Sequence, residues 1–256
     1  NAMKRKKRAA CAALAAVMAA TALPLSARAY SMTYTDVPQD HWAYQDILYT
    51  SQWGFFNGKA DGNFHPDDTL TRAEFVSILA RIANAQVNRF QGTEFTDVND
   101  DDWFAGAVAW ASRRGIISGV GDDRFDPNGV VTREQMATLS YNFLKSMGIV
   151  YGSENGEVPY TDKDQISDWA LTAVKGMYSS GIMTGREDNT FDPQATTSRA
   201  EAASIARRLY ADLDYDYRDE TENQKPETDS GTEQDLTASA DKTPGAGEET
   251  TAAEEI

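Results

Sequence analysis

Thr71-Arg72-Ala73-Glu74, Thr132-Arg133-Glu134-Gln135 and Ser198-Arg199-Ala200-Glu201 are one four-residue signal written three times. A hydroxyl at a helix N-cap accepts from the backbone N–H three residues on, and a Glu or Gln there reaches back to the N-cap N–H, so each copy opens a helix. That accounts for the first and fourth residues and leaves the arginine unexplained. The first helical turn carries the positive end of the helix dipole, so a cation placed there is opposed. Arg72, Arg133 and Arg199 therefore need a negative or strongly accepting partner, and an arginine at a helix N-terminus is also suited to receive an anion. Two compatible readings follow. One is a structural ion pair with a nearby aspartate such as Asp36, Asp97 or Asp162. The other is an anion receptor facing a groove.

Working outward, each copy closes a longer ordered set. Tyr34-Thr35-Asp36, Phe95-Thr96-Asp97 and Tyr160-Thr161-Asp162 open the three blocks, and Trp42, Trp103 and Trp169 follow. Glycines four apart come next, at Gly54 and Gly58, Gly115 and Gly119, Gly181 and Gly185, and then Phe64-His65-Pro66, Phe125-Asp126-Pro127 and Phe191-Asp192-Pro193. The arginines are 61 and then 66 residues apart, so the chain is a tandem array. Within each block the pattern predicts two helices. The first starts near the Trp, with Trp103, Ala107, Trp110 and Ala111 on one face. It ends where Gly54, Gly115 or Gly181 takes the left-handed C′ position before an apolar residue. The second follows the cap and buries Phe75, Ile78, Leu79 and Ile82, or Met136, Leu139 and Phe143, or Ala202, Ile205, Ala206 and Leu209. One pair of short helices cannot bury its own face, but three pairs share a core. Asn84 to Glu94 is read as a polar connector extending the second helix before breaking at Gly92. Ser146 to Pro159 is read as an exposed loop.

The order of these elements resembles the S-layer homology (SLH) family, whose domains come as three tandem copies; the likeness covers residues 34–212. The resemblance implies an all-α, pseudo-threefold body of three helix-loop-helix repeats around a central three-helix bundle, with grooves between neighbours. It also implies non-catalytic binding of a cell-wall glycan, often a secondary cell-wall polysaccharide carrying a pyruvate ketal, whose carboxylate matches an Arg at a helix N-terminus. On this reading the glycan-binding residues are Arg72, Arg133, Arg199, Asp36, Asp97, Asp162, Trp42, Trp103, Trp169, Gly58, Gly119 and Gly185. Each set has a plainer role as well. The tryptophans serve as core anchors with an edge left for a sugar, the aspartates cap a turn, and Gly58, Gly119 and Gly185 supply positive φ. The copies differ: repeat 2 carries Arg-Glu-Gln, and repeat 3 has Ser198, Lys163 and one extra residue before Trp169.

The ends read differently from the body. Lys4-Arg5-Lys6-Lys7-Arg8, the apolar run Ala9 to Leu25 and Ala27-Arg28-Ala29 form a secretory signal peptide behind a cloning scar, spanning 1–29, with no membrane insertion after cleavage. Cys11, the one cysteine, lies within it, so the exported chain depends on its core rather than on disulfides. Repeats are assigned to 30–94, 95–159 and 160–213. The segment 214–256 has fourteen acidic and three basic residues and is expected to be a disordered acidic tail. Losing the signal moves the formal net charge from −16 to −22, which excludes recognition of nucleic acid by a basic surface. Asp61-Gly62-Asn63-Phe64 is too incomplete for a calcium loop. His41 and His65 lack counterparts, and no metal or cofactor is expected. Retention at the bacterial cell surface would come from the repeats, through the secondary polymer or, alternatively, peptidoglycan. A protein-interaction module engaging S-layer partners and a glycan-processing enzyme with two carboxylates are the other classes. A catalytic pair is normally unique, whereas here the distinctive polar residues recur threefold.

Overall fold

The computed structural model describes residues 34–151 and 156–222, with side chains described to Leu213. The expected signal peptide with Cys11 and the stretch 223–256, most of the expected tail, lie outside the described residues. Among the described residues six helices form: α1 Tyr44–Gln52, α2 Arg72–Ile82, α3 Ala105–Arg113, α4 Arg133–Ser146, α5 Asp168–Ser179 and α6 Arg199–Glu222. Short 3-10 turns lie at Val87–Arg89 and Lys163–Gln165, and extended pairing among the described residues is limited to isolated bridges. The chain is all-α, as the repeat pattern implies. Helix α6 continues to Glu222, past residue 214, where the tail is expected to start.

The local signals act where they stand. Thr71 Oγ1 accepts from Glu74 N at 3.2 Å while Thr71 N donates to Glu74 Oε2 at 2.9 Å. Thr132 with Gln135, and Ser198 with Glu201, make the same reciprocal pair. Gly54, Gly115 and Gly181 have φ of 71°, 66° and 72°. After α1 and α3 the closing bonds are Phe55 N to Thr50 O at 2.8 Å and Ile116 N to Ala111 O at 2.9 Å, the 6→1 pattern of a Schellman end. The connector differs from its expected form. Helix α2 stops at Ile82 because Asn84 takes φ 49° and lets Ala85 N reach Ala80 O at 2.9 Å. Asparagine tolerates the left-handed region and ends the helix as glycine would.

Helix pairing does not follow the sequence repeats. α3 packs on α2, α5 on α4 and α1 on α6, so each pair joins the second helix of one repeat to the first helix of the next, and the third returns to the first. α2, α4 and α6 also contact one another. At the middle, Val131 N donates to Leu70 O at 2.9 Å, Thr197 N to Val131 O at 3.0 Å and Leu70 N to Thr197 O at 3.1 Å. Three equivalent residues thus close a ring of backbone bonds. The first-turn N–H groups that no helix can satisfy internally also cross between repeats: Arg72 N reaches Gly129 O, Arg133 N reaches Ala195 O and Arg199 N reaches Asp68 O, each at 2.9 Å. The expected apolar faces of α2, α4 and α6 are all buried, and one apolar cluster spans the three repeats.

Two expectations are corrected. Trp42, Trp103 and Trp169 do not anchor the core; they are 64%, 66% and 57% exposed. The next residue, Ala43, Phe104 or Ala170, is the buried one. In repeats 1 and 2 the Trp precedes the helix, so Trp103 does not share the face of Ala107, Trp110 and Ala111. Gly58, Gly119 and Gly185 are not in the positive-φ region. They are small because a Cβ there would stand 2.5 Å from the Tyr34 ring, 2.6 Å from Arg124 O and 2.5 Å from the Tyr160 ring respectively.

Candidate functional site

The three arginines are built into equivalent seams, each leaving one repeat and entering the next. Arg72 Nε donates to Phe125 O at 2.7 Å and Nη2 to Ser118 O at 3.3 Å. Arg133 reaches Phe191 O at 2.7 Å and Thr184 O at 3.4 Å, and Arg199 reaches Phe64 O at 2.8 Å and Asn57 O at 2.9 Å. Each guanidinium also lies over the phenylalanine of the Phe-x-Pro turn it reads, with Cζ 4.8, 5.2 and 4.8 Å from the rings of Phe125, Phe191 and Phe64. All three are buried, at 6%, 6% and 2% exposure. Ser118, Thr184 and Asn57, whose carbonyls accept from the arginine Nη2 groups, immediately precede Gly119, Gly185 and Gly58. The close-packed glycines therefore set the second carbonyl of each seam.

The ion partner is not the expected aspartate. Arg133 Nη1 meets Glu201 Oε1 at 3.1 Å and Arg199 Nη1 meets Glu74 Oε1 at 3.5 Å. These glutamates are the fourth residues of the capping signals, with Oε2 on their own N-cap and Oε1 turned to the arginine of the preceding repeat. Sequence reasoning assigned them wholly to the cap. The signal that distinguishes their second task is Gln135, which keeps the cap and carries no charge. Among the described residues no carboxylate lies within ion-pair distance of Arg72. Burial lowers the affinity of all three guanidinium groups for their protons. Asp126 and Asp97 oppose this at Arg72, Glu201 leads the opposition at Arg133 and Glu74 does so at Arg199.

Asp36, Asp97 and Asp162 clamp the turn that the arginines read. Phe64 N and His65 N donate to the two oxygens of Asp36 at 3.0 and 2.6 Å. Phe125 N and Asp126 N do the same to Asp97 at 2.7 and 2.8 Å, and Phe191 N and Asp192 N to Asp162 at 2.8 and 2.7 Å. His65, Asp126 and Asp192 have φ of 58°, 58° and 59°. That left-handed backbone costs a side-chain-bearing residue about 1–2 kcal/mol, and the bidentate carboxylate offsets it. For Asp36 and Asp97, burial pushes the carboxyl upward, but the two backbone donors outweigh it and hold the group below its ordinary value.

Glu134 is a second displaced charge. It stands where repeats 1 and 3 have Ala73 and Ala200, and it is 2% exposed. Its carboxylate accepts from Ser167 N and Ser167 Oγ, each at 3.0 Å, and from Gln194 Nε2 at 2.6 Å, so it holds the start of α5 and the turn beside Arg133. The other lobes differ. Asp46 of α1 bonds Arg207 Nη1 of α6 at 2.6 Å and also Ser204. Repeat 2 has Ala107 at that place, and a pocket of about 110 Å³ lies between α2 and α3, bounded by Ser77, Arg81, Trp103 and Ala107. Among the described residues, no group of His, Cys, Asp and Glu could hold a metal ion, and no helix is long and apolar enough to cross a membrane.

The S-layer homology domain family matches residues 33–76, 94–137 and 159–203. Relatives include an amylopullulanase of Thermoanaerobacterium thermosulfurigenes, 35% identical over 69% of this chain and 9% of that protein. A cellulosome-anchoring protein of Acetivibrio thermocellus is 31% identical over 60% of this chain and 35% of its own length. An S-layer protein of Bacillus thuringiensis subsp. finitimus is 30% identical over 75% and 22% respectively. The chain thus spans a minor part of each of these relatives.

Proposed function

Because the chain belongs to the S-layer homology domain family, we propose that its three repeats hold it non-covalently to a bacterial cell envelope by binding an anionic, pyruvylated secondary cell-wall polysaccharide. The observation that carries this reading is the threefold recurrence of an exposed tryptophan at the start of, or just before, a helix that packs against one starting with a buried arginine. An exposed indole has no folding role that a smaller residue could not fill, and it offers a sugar a flat apolar face. Each groove then combines the arginine of one repeat with the aspartate, tryptophan and close-packed glycine of the next. We read the cyclic order of contacts as the pseudo-threefold arrangement that such grooves require. The role is non-catalytic. Relatives with enzyme names and relatives named for anchoring or S-layers each match 60–75% of this chain, which fits a module that tethers rather than one that cleaves.

The test is co-sedimentation of the chain with cell-wall sacculi, intact or stripped of secondary polymer. It compares wild type with Trp42→Ala/Trp103→Ala/Trp169→Ala, whose changes are at the surface and leave the helical CD spectrum unaltered. Binding to intact walls only, lost in the triple variant, is the expected result. Binding indifferent to both stripping and substitution overturns the proposal and points to peptidoglycan or a protein partner.

A further inference from the structure

We propose that the three grooves are unequal, and that Gln135 and Glu134 make the seam between repeats 1 and 2 the strongest site for a carboxylate and the seam between repeats 2 and 3 the weakest. This rests on the glycan-binding reading above and assigns the anion among the grooves. Arg72, Arg133 and Arg199 are buried alike and spend Nε and Nη2 on the same pair of carbonyls. They differ at Nη1. In Arg133 and Arg199 it faces Glu201 and Glu74. In Arg72 the equivalent place belongs to Gln135, whose Oε1 is held by Thr132 N at 3.2 Å, and Nη1 has no partner among the described residues. A buried cation whose nearest carboxylates, Asp126 and Asp97, stay beyond ion-pair distance is a costly arrangement that a ligand anion relieves. A carboxylate already in place competes with that anion and repels it.

The carboxylate absent from Arg72's seam reappears one residue earlier in the chain as Glu134, about 100° around the same helix turn. There it is fixed by Ser167 and Gln194 against the turn that Arg133 reads. The change from Arg-Ala-Glu to Arg-Glu-Gln therefore removes one negative charge from the seam of repeats 1 and 2 and adds one to the seam of repeats 2 and 3. Arg199, with Glu74 alone at 3.5 Å, stands between. The α2–α3 seam is also the one with open space beside its tryptophan.

The test follows the Nε–Hε resonances of the three arginines by ¹⁵N–¹H correlation spectra while a methyl glycoside carrying a pyruvate ketal is titrated in at constant ionic strength. Arg72 is expected to respond at the lowest concentration, about tenfold below Arg133, the scale of one nearby charge in a partly screened site. Gln135→Glu keeps the capping pair and is expected to raise the Arg72 midpoint about tenfold, while Glu201→Gln lowers that of Arg133. Equal midpoints, Arg133 responding first, or an Arg72 midpoint indifferent to Gln135→Glu overturns the ranking and leaves the glycan-binding reading standing. No response at any of the three arginines overturns both.

Discussion

Arg72, Arg133 and Arg199 show how one side chain resolves a conflict that its own helix creates. Placed against the dipole, each arginine leaves its helix and binds two carbonyl oxygens and an aromatic face on the next repeat, so the unfavourable local position is the price of joining repeats. The aspartates complete that joint from the other side. Asp97, held low by the N–H groups of Phe125 and Asp126 despite its burial, favours the folded state wherever it is ionised in both states. Its folded value lies below the ordinary one of about 3.9. Its contribution is therefore full above about pH 4 and fades as the pH falls through the folded value. Asp97→Asn replaces one acceptor with a donor facing a backbone N–H. It is expected to cost about 1–3 kcal/mol at neutral pH and to flatten the stability loss below pH 4, as measured by urea unfolding at pH 7 and pH 3. An unchanged acid slope would assign that loss to other carboxylates.

At the level of elements, two glycines four apart do different work. Gly115 closes α3 at φ 66° with open space around a Cβ, whereas Gly119 lies where a Cβ would stand 2.6 Å from Arg124 O and 3.1 Å from the Phe95 ring. Arg124 O is itself fixed by Val120 N at 2.7 Å, so the backbone must shift. Gly115→Asn is expected to be mild, Gly115→Ala to cost about 1–2 kcal/mol, and Gly119→Ala to cost about 1–3 kcal/mol. Of the three, Gly119→Ala alone should disturb the Arg72 Nε–Hε resonance through Ser118. Thermal melts with that resonance as reporter check the order. If Gly115→Ala proves the costlier of the alanine changes, close packing is not what Gly119 supplies.

For the whole molecule, the crossing of repeat boundaries makes cooperativity the central expectation. Removing repeat 3 takes Thr197 from the ring with Leu70 and Val131, strips α6 from α1 and leaves Arg133 without Phe191 and Thr184. A chain ending at residue 159 is expected to lose the single cooperative CD melt rather than show two thirds of it. A sharp melt near the full-length temperature would mean that repeats 1 and 2 form an independent unit.

What the sequence by itself determined is what hydrogen bonds within a few residues and apolar periodicity decide: three repeats, the capped starts of α2, α4 and α6, the glycine ends of α1, α3 and α5, and the all-α class. It also marked the arginine as needing a partner, because the dipole argument is local. Only the tertiary structure decided which partner. That Glu74 and Glu201 look past their own caps, that Trp103 faces outward while Phe104 is buried, that Gly119 is small for its neighbours rather than for its φ, and that helices pair across repeats all depend on which distant surface covers a side chain. Periodicity records that a face is covered and is silent about what covers it, because the partners lie 53 and 58 residues away between adjacent repeats and 135 residues away where the third repeat closes on the first.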